Sequence, residues 1–207
     1  MKTRDRILET ALHLFNAEGL AQVSTNRIAA ELAMSPGNLH YHFKRKEDLV
    51  TWLLRRFAEA LRRFADAHET VEALDDLWLT MHLGLEVLDH HRFILRDMDF
   101  LLREYPALHA PLRELIGQRI ATLQAALESL RRRDILQATD EQLASLALQT
   151  VLANTAWPSF EHLLPAAMPG TLRGSRAVAY HFLVMLSPYV DDASRQYLAY
   201  LRSRYAA

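Results

Sequence analysis

The sequence predicts an all-α fold, with a three-helix unit at the N-terminus followed by a larger helical body. Three observations carry this. Apolar residues recur at three- and four-residue spacing along almost the whole chain, as in amphipathic helices. No stretch of useful length alternates apolar and polar residues as a strand would. Capping and breaking residues fall between the periodic segments.

The elements follow in order. In "TRDRILETALHLFNAEG", Ile7, Leu8, Ala11, Leu12 and Phe15 share one helical face, and Gly19 stands where a left-handed cap is wanted. In "STNRIAAEL", Ser24 or Thr25 serves as N-cap, with Ile28, Ala29 and Leu32 facing inward. "AMS" is a three-residue break. Ser35 then caps a new helix with Pro36 at its first position, where a missing N–H costs nothing. Two short helices joined by so tight a turn make a helix-turn-helix. A long amphipathic helix runs from Lys46 to about His68, with Leu49, Trp52, Leu53, Phe57, Ala60, Leu61 and Phe64 on its apolar side. Helical patterns follow at about 70–90, 91–104, 107–133, 140–164, 174–188 and 191–204, giving nine or ten helices in all. Thr139 and Gln142 form a capping box, and Pro106, Pro111, Pro165, Pro169, Gly170 and Pro188 mark joints or first turns.

Composition narrows the function. The chain has 207 residues, half of them hydrophobic and about a quarter charged, as a globular protein requires. It has no cysteine, which excludes disulfides, thiolate nucleophiles and zinc–thiolate sites and fits a cytoplasmic location. "MKTRDRILET" lacks the apolar core of a signal peptide, and charges interrupt every apolar run short of a membrane span, so no membrane partner is expected. The net charge of −1 hides an asymmetry: residues 1–63 hold 11 Lys and Arg against 7 Asp and Glu, and residues 64–207 hold 13 against 18. A local basic face can bind an anionic polymer even on a nearly neutral molecule.

The stretch "SPGNLHYHFKRKEDL" brings these signals together. The second helix of a helix-turn-helix enters the DNA major groove N-terminus first. Pro36, Gly37 and Asn38 are small enough to let the helix start approach base edges and phosphates. Tyr41 and His42 can reach backbone oxygens or a thymine methyl, while Leu39 and Phe43 face inward. Lys44, Arg45 and Lys46 stand where phosphates would lie. From periodicity and charge alone, a DNA-reading unit and a unit of plain packing both remain open.

Residues 3–49 resemble the N-terminal domain of the tetracycline-repressor (TetR) family of bacterial regulators. The resemblance lies in "TRDRILETALHLFNAEG", "VSTNRIAAELAMS" and "PGNLHYHFKRKEDL", a spaced three-part signature over about a quarter of the chain. It implies a helix-turn-helix DNA-binding domain at 1–46 and a helical ligand-binding and dimerisation domain at 47–207. It also implies that Thr25 and Arg27 contact phosphate or the groove edge. Pro36, Gly37, Asn38, His40 and Tyr41 would then face base edges or adjacent backbone, and His42 and Lys46 would clamp phosphates. The chain departs from the family pattern at three places. Ala33 replaces the usual glycine of the turn, His40 replaces a common tyrosine, and Arg45 stands where a Ser or Asn cap is usual.

The rest of the chain is then expected to sense a small molecule and to pair two copies on a palindromic operator. "EQLASLALQTVLANTAWPSFEHLL" is apolar nearly all round and, with "SRAVAYHFLVMLSPYV", is the expected dimer surface. Trp78, Met81, His82, Phe93 and Phe100, with Asn154 and Trp157, are candidate contacts for a hydrophobic or amphipathic effector, though most residues of this kind simply belong to the core. His90, His91, Asp97 and Asp99 match no closed metal site, so no metal is expected. No phosphate loop or nucleophile–base constellation is present, so neither catalysis nor a cofactor is expected. The function implied is a ligand-responsive transcriptional regulator, a repressor in the usual case. The alternative is a helical small-molecule-binding protein or enzyme without sequence-specific DNA binding.

Overall fold

Local sequence sets the first helix and its end. The structure, a computed structural model, describes residues 2–67, 71–164 and 172–206. α1 (Thr3–Glu18) buries Ile7, Leu8, Ala11, Leu12, Leu14 and Phe15. Gly19 ends it with the expected positive φ of 94°, but its ψ of 142° lies outside the left-handed helical basin. α2 (Thr25–Glu31) is capped by Ser24, whose hydroxyl accepts the Arg27 N–H at 3.1 Å, so Thr25 is the first helical residue. The turn after α2 closes with the Met34 N–H on the Ala29 carbonyl and the Ala33 N–H on the Ala30 carbonyl, both at 3.0 Å. Ala33 takes φ 51° there, the conformation for which glycine is the easy choice. α3 (Pro36–His42) opens with Ser35 accepting the Asn38 N–H at 3.2 Å. α4 (Lys46–Ala67) gets no side-chain cap from Arg45; instead Asp48 reaches back and accepts the Arg45 N–H at 2.9 Å.

α4 continues out of the three-helix head and buries Leu49, Val50, Leu53, Leu54 and Phe57. It packs against α5 (Leu74–His90). The single helix expected at 91–104 is two, α6 (Arg92–Arg96) and α7 (Met98–Glu104). They part at Asp97, whose carboxylate turns across to the end of α1. A 3-10 turn at Pro106–Leu108 leads into α8 (His109–Arg132). α9 (Asp140–Phe160) opens with the expected capping box: Thr139 Oγ1 accepts the Gln142 N–H at 3.2 Å, and Gln142 Oε1 accepts the Thr139 N–H at 2.8 Å. α10 (Gly174–Leu186) and α11 (Asp192–Ala206) complete eleven α-helices with no strand among the described residues. α9 lies at the centre of the body, packed on α6, α8 and α10. The Phe64 side chain, Pro165, Pro169 and Gly170 lie outside the described residues. No described helix is long and apolar enough to cross a membrane.

Candidate nucleic-acid interface and internal cavity

Two buried anchors orient the second helix of the head. Leu39 is 1% exposed and Phe43, just past the helix end, is 2% exposed. With those two inward, Pro36, Gly37, Asn38, His40 and Tyr41 all face solvent. Tyr41 is 84% exposed, an expensive position for an aromatic ring in a protein with no partner for it. His42 is half-buried and meets the Tyr41 ring edge-on at 5.3 Å. A Cβ at Gly37 would meet no atom within 4 Å, and the residue has no positive φ. Neither packing nor backbone requires glycine there. Its small size leaves the outer surface of the helix open to close approach.

The charges of the head sort themselves. All the carboxylates of residues 1–63 are paired by four arginines. Arg56 holds Asp5 and Glu9 at 3.0 and 2.7 Å; Arg27 holds Glu18 and Glu31 at 2.8 and 2.7 Å. Arg45 holds Glu47 at 3.2 Å and Asp48 at 3.9 Å, and Arg63 holds Glu59 at 3.1 Å. Lys2, Arg4, Arg6 and Lys44 are exposed and make no ion pair among the described residues. Arg4 lies over the Phe43 and Trp52 rings, at 5.0 and 4.3 Å, which brings the start of α1 beside the end of α3. Two unpaired cations, Arg4 and Lys44, therefore flank the outward-facing helix.

Behind the head, a polar junction ties the end of α1 to the body. Arg96 donates to the carbonyls of Asn16 and Phe15 at 2.9 and 2.7 Å. It brings a cation to a helix C-terminus whose own last turn has none. Asp97 accepts the Leu20 N–H at 2.7 Å and Arg96 Nε–H at 2.9 Å. Asn16 donates to the His90 carbonyl at 2.8 Å and accepts the Phe93 N–H at 3.0 Å. Lys46 donates to the Leu20 carbonyl and lies 5.8 Å from the Phe15 ring and 5.9 Å from the Phe100 ring. Burial lowers its pKa, partly offset by Asp97. His91, 6% exposed, packs on Phe57 at 5.3 Å, and its Nδ1 lies 3.1 Å from the Val87 carbonyl, so that nitrogen carries the proton of the neutral ring. Burial pulls its pKa down to about 4.

Deeper in the body lies a cavity of about 330 Å³ walled by α4, α5, α8, α9 and α10. Leu77, Met81, Leu85, Leu115 and Phe182 supply apolar wall. Arg119, Asn154 and Thr150 are among its polar groups. Asn154 Oδ1 is buried without a hydrogen-bond partner. Gly84, inside α5, also lines the cavity, and a Cβ there would meet nothing within 4 Å.

Comparison with known proteins decides the family. Residues 7–51 match the domain described as "Bacterial regulatory proteins, tetR family", and residues 56–198 match the one described as "Bacterial transcriptional repressor". The chain belongs to the TetR family of bacterial transcriptional regulators. A TetR-family regulator from Marinobacter aquaeolei VT8 has the same fold at TM-score 0.88 and 30% identity, over 99% of both chains. A regulator from Saccharomonospora viridis, solved with choline, shares the fold at TM-score 0.73 and 20% identity, over 91% of this chain and 97% of that one. An HTH-type transcriptional regulator of Staphylococcus aureus is 45% identical over 56 residues, so the matched stretch spans 27% of this chain and 30% of that protein.

In this TetR-family chain, the structure gathers Pro36, Gly37, Asn38, His40 and Tyr41 on one open face, with His42 at its edge. Thr25 is half-buried at the start of α2, and Arg27 is held by its two carboxylates. Lys46 instead faces the α1–α2 loop. Of the seven candidate effector contacts, Met81 and Asn154 line the cavity. Phe93 is fully buried against Phe15 at 5.2 Å, and Phe100 packs under Lys46. Trp78 stacks on His82 at 5.6 Å, His82 lies 6.2 Å from Tyr205, and Trp157 packs against His181 at 5.5 Å. Sequence reading missed Arg119, Gly84 and the Asn16–Arg96–Asp97 junction. Arg119 had a legible signal, an arginine standing in line with the apolar Leu112, Leu115 and Ala126 of α8.

Proposed function

We propose that the protein is a repressor that grips a palindromic operator as a homodimer and lets go when a small molecule enters the cavity. Residues 1–46 are the reading head and 47–207 the sensing and pairing domain. Thr25, Arg27, Pro36, Gly37, Asn38, His40, Tyr41 and His42 contact DNA. Lys46, held on the Leu20 carbonyl, contributes by fixing the start of α4. The main support is the outward face of α3, where small, imidazole and phenolic side chains are exposed beside cations that form no ion pair among the described residues. Pairing is supported by Leu148, Leu152 and Phe160 on α9, 54%, 61% and 49% exposed, and by Val184 on α10, 38% exposed. Release is supported by α4, which runs from the head to the cavity wall at Leu61. The ligand acts only to the extent that it binds the released conformation more tightly than the gripping one. A cytoplasmic location follows from work on DNA.

The test is selection from a random duplex pool by purified, ligand-stripped protein at moderate salt. The expected product is an inverted repeat, bound by two copies. Failure of stripped protein to enrich any sequence would overturn the reading.

A further inference from the structure

The cavity holds a charge that the described residues leave uncompensated. Several arginines of this chain find carboxylates, Arg27, Arg56, Arg131 and Arg133 among them, and others such as Arg4 and Arg55 stand unpaired in solvent. Arg119 forms none among the described residues. Its neighbours three and four positions away on α8 are Leu115, Ile116, Thr122 and Leu123, all uncharged. Its fork offers five N–H groups, yet among the described residues it makes a single hydrogen bond, 3.3 Å to the Thr155 hydroxyl, which itself donates to the Val151 carbonyl at 2.7 Å. Burial lowers the guanidinium pKa to about 10, with no acid to oppose it. An unpaired ion in a low-dielectric site is costly, and folds keep such groups where something else completes them.

The surroundings say what completes it. Two arginines, Arg119 and Arg62, line the cavity, and among the described residues no Asp or Glu does. A cation would meet repulsion there. A neutral apolar molecule would bury Arg119 further without pairing it. A carboxylate matches the planar fork with two parallel bonds. Asn154, with an unpartnered side-chain oxygen, supplies a second polar group in the same wall, and its amide can turn to donate. Leu77, Met81 and Leu85 stand four residues apart on α5 and form a continuous apolar strip, and Gly84 beside them keeps the space open. We propose that the effector is a small organic acid, an amphipath whose carboxylate sits on Arg119 and whose apolar body lies along the α5 strip. This rests on the cavity being the effector site.

The experiment uses stripped full-length protein and calorimetric titration with matched probes. The straight-chain set is decanoate, decanol and decylamine; the aryl pair is 3-phenylpropionate and 3-phenylpropanol. At least one acid is expected to bind 10-fold or more tighter than its alcohol, with decylamine weakest. Arg119→Met should lose about 10- to 100-fold in acid affinity and leave the alcohols unchanged, while Arg119→Lys retains part of the preference. Ligand-free Arg119→Met should be at least as heat-stable as the parent, which a purely structural arginine would not allow. Gly84→Phe should abolish binding of every probe. Alcohols binding as tightly as acids, or Arg119→Met binding acids undiminished, would overturn the organic-acid assignment while leaving the cavity as the effector site. If no probe binds and Gly84→Phe is indistinguishable from the parent in operator release, the cavity reading itself falls, and this one with it.

Discussion

At Gly37 the folded protein gains nothing from glycine: no atom lies within 4 Å of a built Cβ. Glycine in a helix costs about 0.5–1 kcal/mol relative to alanine. Gly37→Ala should therefore stabilise the protein by about that amount in urea melts and weaken operator binding in the same preparation. Equal affinity would remove Gly37 from the DNA face. His91 gives a second residue-scale prediction. Its pKa drops from the ordinary histidine value of 6.5 to about 4 on folding, chiefly through burial. The unfolded chain then binds the proton first, so His91's contribution is intact above about pH 6.5 and is lost as pH falls towards 4. The full loss is on the order of 3 kcal/mol by the usual 1.36 kcal/mol per pK unit. Urea melts between pH 7.5 and 4.5 should show it, and His91→Phe should flatten that part of the curve. The caps were legible at this scale because they depend on three or four adjacent residues: Ser35 with Asn38, and Thr139 with Gln142. Ala33 was legible as an oddity and does take the left-handed conformation. The direction of Lys46 was not, because its acceptor is the Leu20 carbonyl, 26 residues away in sequence.

Among the elements, α9 exposes large apolar residues on one side. Its inner face, with Leu143, Leu146, Ala147 and Val151, is buried, while Leu148 and Leu152 stand in solvent. Leu152→Asp should halve the mass seen by sedimentation equilibrium, leave helical content unchanged and abolish tight operator binding. A dimer of unchanged strength would move the pairing surface elsewhere. α6 and α7 show where periodicity misleads. Residues 91–104 read as one helix because their apolar spacing is continuous. The break at Asp97 goes with tertiary contacts, its own with the Leu20 N–H and those of the adjoining Arg96 with the Phe15 and Asn16 carbonyls. The aromatic and methionine residues of α5 to α7 read as cavity wall for the same reason. Periodicity says which face is inside, and it cannot say which part of the inside is empty.

For the whole molecule, the surplus cations of the first 63 residues were visible as a count, but their meaning needed the pairing pattern. Once four arginines have absorbed every carboxylate of that region, seven cations remain without an ion pair among the described residues, and two of them, Arg4 and Lys44, stand beside α3. Counterion release makes each phosphate contact worth about one unit of the log–log salt slope. Lys44→Ala should thus reduce the slope by about 1 and weaken all sequences alike. A change in sequence preference at constant slope would assign Lys44 to base reading instead.

The junction behind the head bears on portability. DNA-reading domains are attractive parts for building chimaeric switches, and a cut at residue 46 looks natural from the sequence. Here that cut would strand the Leu20 N–H and the carbonyls of Phe15 and Asn16 without Asp97 and Arg96, and uncover Phe15 where it meets Phe93. A graft of 1–46 onto a foreign sensing domain should melt well below the parent. A graft whose acceptor helix carries the Phe93, Arg96 and Asp97 side chains at matching positions should recover most of the difference. The transplantable unit is the head together with the short helix that receives it.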